Sequence, residues 1–160
     1  MTIGFIQDAL FSAIAAIGFA SISNPPRAIY GSCALTAAIG HSCRYLLMSD
    51  AWCGMHIIPA STIAAFLIGT LSVLLAPRIK CPAEACFSPA LLPMIPGVYA
   101  YRTVKALLLC LFQHEEVAFN HYLYLLMSNG LTCMFIILGM VVGATIPMFL
   151  FKKISFQATR

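Results

Sequence analysis

Charge is what this sequence has least of. Nine residues are Lys or Arg and five are Asp or Glu among 160, so charged side chains make up 9% of the chain. Soluble domains carry about 25%. With 61% hydrophobic residues and a mean hydropathy of +0.94, the chain lacks the polar surface to cover itself in water. That excludes a soluble domain and makes it an integral membrane protein. The formal charge of +4 comes from lysines and arginines in loops, which excludes nucleic acid as a sensible partner.

Other absences narrow the reading. The first stretch, "MTIGFIQDALFSAIAAIGF", holds Asp8 and no Lys or Arg. It lacks the basic start of a secretory signal and reads as a retained first span. The seven cysteines form no C-x-x-C pair and are odd in number; most sit in apolar runs, where Cys behaves as a small hydrophobe. Cys81 and Cys86 flank "PAEA" and could pair or bind metal, but their side is expected to be cytoplasmic and reducing. No G-x-x-x-x-G-K-[ST] loop is present, so ATP would have to act through another chain. No cofactor is implied.

What is present is a series of apolar runs, each near the ~20 residues that cross a hydrocarbon core. They predict an all-α integral membrane protein of about five transmembrane helices, forming one domain over 1–160. The spans are expected near 3–22, 28–48, 55–76, 86–112 and 129–151. The last run, Tyr122 to Phe151, is 30 residues long, about 45 Å of helix. This predicts a tilted helix, or an interfacial first part with the true span from about Asn129. Arg27, Arg78, Lys80, Lys152, Lys153 and Arg160, six of the nine basic residues, then fall on one side. By the positive-inside rule the chain is N-out and C-in.

Arg44, Arg102 and Lys105 fall within spans. Such residues face a bundle interior or a watery cavity, since an Arg at a helix centre costs about 2.5–3.5 kcal/mol. Near span ends the alternative is snorkelling to the headgroups, which stays open for Arg44 and Lys105. His41 sits three residues before Arg44 on a neighbouring part of one face. It is a candidate proton relay, because imidazole titrates near ambient pH; the alternative is a hydrogen bond to a neighbouring helix. Asp8 is a second candidate for proton coupling. Small residues recur at helical spacing: Ser12, Ala16 and Ala20; Ser32, Thr36 and Gly40; Ser61, Ala65 and Gly69; Gly139 and Gly143. In lipid such faces let helix backbones pack closely.

The fourth run contains "SPALLPMIPGVYAYRTVK", residues 88–105, with Pro89, Pro93 and Pro96. Proline in a helix interior costs about 3 kcal/mol. Broken backbone at membrane depth is tolerated where it is buried in protein or lines a cavity. In secondary transporters such half-helices aim their N-termini at anionic groups. Pro96-Gly97 can end one segment, and a new helix starting there has free N–H groups near Gly97, Val98 and Tyr99. Arg102 and Lys105 follow on one side of it. The break therefore predicts a carboxylate site; a kinked or re-entrant structural helix is the alternative.

"LLPMIPGVYAYR" resembles the Pro-Gly signature of the threonine/serine exporter family, in the half represented by its small YjjB-type subunit. "GFASISNPPRAIYGSCALTAAIGHSCRYLLM" is similar to that subunit's Pro-Arg turn, followed by a small-residue helix with Gly-His and an Arg. The resemblance covers essentially the whole chain. It implies export of small carboxylate metabolites across the bacterial inner membrane: threonine or serine for single-chain members, succinate for a split pair. It also implies a larger YjjP-type partner subunit, because single-chain members have about twice the spans, and a higher oligomer is possible. Pro93, Pro96, Gly97, Arg102 and Arg44 match the family's pattern, and with Tyr99 they are the candidate substrate-binding residues.

Two other functions remain open at this stage. One is a non-transporting assembly or stabilising subunit. The other is a membrane metalloenzyme using "HEEVAFNH", where His114 and His121 stand seven apart. This is not H-E-x-x-H, whose histidines bind zinc four residues apart, and the stretch is expected to form a wet external loop.

Overall fold

A computed structural model of the chain describes residues 2–22 and 25–151. Lys152, Lys153 and Arg160, part of the basic side expected above, lie outside the described residues. Those described are helical, with no strand among them. The helices are α1 (Thr2–Ile22), α2 (Ala28–Met48), α3 (Ile57–Ile79), α4 (Ala83–Leu91), α5 (Gly97–Phe112) and α6 (Glu116–Leu150), with a 3-10 turn at Leu92–Met94 between α4 and α5.

Three of these helices, α1 from Gly4, α3 and α6, are long and apolar enough to cross a membrane; the interrupted α4–α5 pair makes a fourth if counted as one span. The 21-residue α2 is long enough but less apolar, because it carries His41 and Arg44. Among the described residues, α6 is the longest helix. Its 35 residues run about 52 Å, beyond the thickness of a hydrocarbon core. It starts at Glu116, so most of the "HEEVAFNH" stretch is helical rather than the expected loop. Of its residues only His114 and Glu115 stand outside the helix. The stretch supplies what a helix start favours, an acid in the first turn, set against the positive end of the helix dipole.

The chain divides into two compact units. One holds the residues up to Met94 together with those from Gly139 onward; the other is Ile95–Leu138. In the first, α2 packs against α1, α3 and α4. The small-residue faces are the packing faces: Ser12, Ala16, Ala20, Thr36, Ser61 and Ala65 are buried, as are Gly40 and Gly69. A methyl group on Gly69 would strike the Ala144 carbonyl, and one on Gly143 the Thr62 carbonyl. These are backbone-to-backbone approaches, the kind small residues permit in lipid.

Proline placement explains one side-chain bond in the same unit. Pro89 lies inside α4 and has no N–H to offer the carbonyl of Ala85 four residues back. The buried Cys33 thiol on α2 takes up that carbonyl, donating to Ala85 O at 3.7 Å and to Cys86 O at 3.4 Å. Further on, Pro93 and Pro96 end the helix. The Gly97 N–H turns back onto the Ile95 carbonyl at 2.8 Å, and α5 begins with Ala100 N–H donating to Pro96 O at 3.1 Å. The expected break therefore falls at Ile95-Pro96.

The second unit is a helical hairpin of α5 and the first part of α6. Gly130 lets α6 approach Thr103, whose methyl would lie 3.3 Å from a Cβ at that glycine. Near the turn, the Cys110 thiol donates to Phe119 O at 3.9 Å.

Candidate functional site

Each unit holds its own polar cleft. In the first, α1 contributes Asp8 and α2 contributes His41, Arg44 and Tyr45. His41 Nδ1 lies 3.4 Å from Asp8 Oδ2. Neither ring nitrogen makes an aligned hydrogen bond among the described residues, although the ring is only 5% exposed. The Asp8 side chain is 33% exposed, so the pair has a wet end and a dry end. One turn beyond His41, Arg44 Nη1 donates to the Met94 carbonyl at 3.3 Å.

A cleft of about 430 Å³ opens beside this pair, lined by Asp8, Arg44, Tyr45, Met48, Ser49 and Asp50. Its loop is held in shape by Ser49 O, which receives N–H groups from Trp52, Cys53 and Gly54, and by Met55 N–H donating to Leu47 O at 2.9 Å. Gly54 closes the loop at φ +55°, a conformation glycine adopts without penalty. The Tyr45 ring is fixed edge-on against Phe5, with centroids 6.1 Å apart.

In the second unit, Arg102, Lys105, Ala106 and Leu109 on α5 face Tyr122, Leu125, Ser128 and Asn129 on α6 across a cleft of about 540 Å³. The spacing on α5 is i, i+3, i+4, i+7, one helical face. This cleft has two cations and no acid. Its neutral groups, the Tyr122 and Ser128 hydroxyls and the Asn129 amide, can all donate hydrogen bonds. Asn129 is pinned by its amide to Leu125 O at 2.7 Å. Arg102 and Lys105 are exposed in this chain.

The candidate residues are thus divided. His41 and Arg44 sit with Asp8 in the first unit, where Arg44 also reaches the backbone just before the break. Arg102 belongs to the cleft of the second. Pro93 and Tyr99 are half-buried, Pro96 is buried and Gly97 exposed, and none of the four lines either cleft. The Gly97 N–H is already used within the turn. Asp50, Tyr45, Ser128 and Asn129 were not singled out from sequence. Asn129 carried one readable signal, an amide inside an apolar run, seven residues after Tyr122 on the same face. Among the described residues no group of three or more His, Cys, Asp or Glu could hold a metal. His114 precedes α6, while His121 lies within it and stacks edge-on against Tyr122 at 5.6 Å.

The family model described as threonine/serine exporter, ThrE, matches residues 8–150. The chain belongs to the threonine/serine exporter family. This is a family of membrane transporters, not of enzymes, and with its apolar helices the chain is a multi-pass membrane protein. The match runs from Asp8 to the end of α6 and so takes in both clefts of this exporter-family chain. It is also similar to an uncharacterized protein of Haemophilus influenzae (strain Rd), 35% identical over 149 residues, which is 92% of this chain and 48% of that protein. The chain therefore spans about half the length of that curated relative. No solved structure matches it.

Proposed function

We propose that this chain is one subunit of a secondary exporter of small carboxylate metabolites, working with a larger YjjP-type subunit in the bacterial inner membrane. The substrates that fit are threonine and serine, or a dicarboxylate such as succinate. The reading rests on the cleft between α5 and α6. Arg102 and Lys105 face it together with three neutral donors and no acid. A carboxylate accepts hydrogen bonds and carries negative charge, so this set of groups suits it.

The exposure of both cations supports a second subunit. In lipid an exposed guanidinium near mid-helix costs about 2.5–3.5 kcal/mol; a partner covering the cleft removes that cost and completes the site. In this proposal α2 is also a span, giving five in all with the N-terminus outside and the C-terminus inside. Arg44, Pro93, Pro96, Gly97 and Tyr99 then shape the break, and Arg102 is the residue that meets substrate.

The test is recovery of the partner. A tag placed after Arg160 allows the chain to be drawn from native membranes in mild detergent, with mass spectrometry of what accompanies it. A larger membrane protein of the same family in fixed ratio is the expected result. If the chain emerges alone or only with itself, even after crosslinking in the membrane, the two-subunit exporter is ruled out.

A further inference from the structure

Asp8, His41 and Arg44 present an arrangement that carboxylate binding does not use. His41 is nearly buried with both nitrogens unpartnered by aligned hydrogen bonds. Buried polar groups ordinarily have partners. Its Nδ1 faces Asp8 at 3.4 Å, and Asp8 opens onto the cleft it shares with Arg44, Tyr45, Ser49 and Asp50. Arg44 meanwhile holds the Met94 carbonyl, which the interrupted helix leaves without a continuing turn.

We propose that Asp8 and His41 form a proton-binding site whose occupancy decides whether Arg44 holds the Met94 carbonyl at the helix break or the Asp8 carboxylate. The proton enters from water in the cleft onto the exposed Asp8 carboxylate. It passes from the Asp8 carboxyl to His41 Nδ1, leaving carboxylate and imidazolium, with no other reactant needed. In that loaded state the imidazolium neutralises Asp8 and repels the guanidinium one turn away. Arg44, which keeps its charge in both states, then turns to the Met94 carbonyl, the contact it makes at 3.3 Å. With His41 neutral, Asp8 carries the uncompensated negative charge in the cleft. It draws Arg44 off Met94 and frees that carbonyl.

The surroundings leave few competitors for this exchange. From α1 the charged group is Asp8, and from α2 it is Arg44, with the Tyr45 phenol and the Cys43 thiol nearby in sequence. The charged residues of α3 and α4, Arg78 and Glu84, are exposed. Cys33 and Cys86 are occupied with each other's helix. The part of α6 in this unit, Gly139–Leu150, carries no charge, and Asp50 lines the same cleft. Use of the switch in export rests on the function proposed above, whereas the switch itself does not.

The experiment is solid-state NMR of the full chain in phosphatidylcholine bilayers between about pH 4.5 and 9, a range that brackets the ordinary histidine titration. Histidine rings carry nitrogen-15 and methionine carbonyls carbon-13, with His41 and Met94 assigned through His41→Gln and Met94→Leu. The expected result is that the Met94 carbonyl resonance moves between two positions with the same midpoint as the His41 ring. In Asp8→Asn, which removes the carboxylate that faces His41, the Met94 resonance should stay fixed across the range. A wild-type His41 that does not titrate, or one that titrates while Met94 stays still, overturns the proposal without recourse to any variant. A Met94 resonance that still follows pH in folded Asp8→Asn does so as well. None of these readings depends on a partner or on transport, so failure here and failure of the exporter reading are separate results.

Discussion

Arg44 on α2 donates a hydrogen bond to the carbonyl of Met94, fifty residues away in sequence and 3.3 Å away in space. It joins the most polar stretch of α2 to the last residue before the break. Removing the donor leaves a partly buried carbonyl without its partner, at a cost of about 1–3 kcal/mol. Arg44→Met should therefore lower the thermal unfolding midpoint of the purified chain, while Arg44→Lys, which keeps a cationic donor, should lose less. Equal loss in both would assign the effect to packing of the stem.

Cys33 makes a sharper prediction because its acceptor is orphaned by a proline. Cys33→Ala removes the donor to Ala85 O and should cost about 1–3 kcal/mol, whereas Cys33→Ser retains an O–H and should recover part of it. Thiol labelling offers an independent check. The exposed Cys53 should react with a maleimide well before the buried Cys33 and Cys86.

Glycines divide by what surrounds them. A Cβ on Gly69 meets the Ala144 backbone, while one on Gly18 meets nothing within 4 Å. Gly69→Ala should destabilise by about 1–3 kcal/mol through overpacking. Gly18→Ala should be neutral or stabilise by about 0.5–1 kcal/mol, since a helical glycine costs that much relative to alanine. Chemical or thermal unfolding in the same detergent measures both, and matched losses would dismiss the close α3–α6 approach.

Arg102 tests the carboxylate site. A charged hydrogen bond contributes about 1.5–3 kcal/mol, so Arg102→Gln in the assembled complex should lower carboxylate flux roughly 10- to 100-fold. Arg78→Gln, an exposed residue outside both clefts, should change it little. Flux and complex recovery are measured together: loss of both at once would assign Arg102 to assembly.

Lys105 shares that face, one turn on. Lys105→Gln should raise the substrate concentration for half-maximal flux more than it lowers the maximum, because a flexible ammonium acts as a point charge. A fall in the maximum alone would place Lys105 away from the binding step.

Much of the architecture was legible in the chain because it follows from local chemistry. Hydropathy identifies membrane residence wherever charge is this scarce, and the limits of α2 coincide with the apolar run read from sequence. The break at Pro96 is equally local, since a missing N–H acts within one turn. Small-residue stripes marked the faces that pack. The start of α6 was misjudged because His114, Glu115, Glu116, Asn120 and His121 look like a wet loop. Their polarity suits the exposed approach and first two turns of a helix equally well.

What sequence could not supply was which polar residue meets which. Asp8 finds His41 and Arg44 finds Met94 only once α1, α2 and the turn after α4 are packed. Arg102 shares a cleft with Asn129, rather than with the helix start at Gly97, only because α5 and α6 meet along that face. Periodicity orients a helix when one side is apolar and the other polar. In a membrane nearly every side is apolar, so the rotation of each helix is set by close packing of small residues and by the need to bury charge. Both are decided between helices, not within one. The sequence by itself determined that the chain lives in a membrane, where its helices lie and where one of them breaks. The tertiary structure decided which charges stand together.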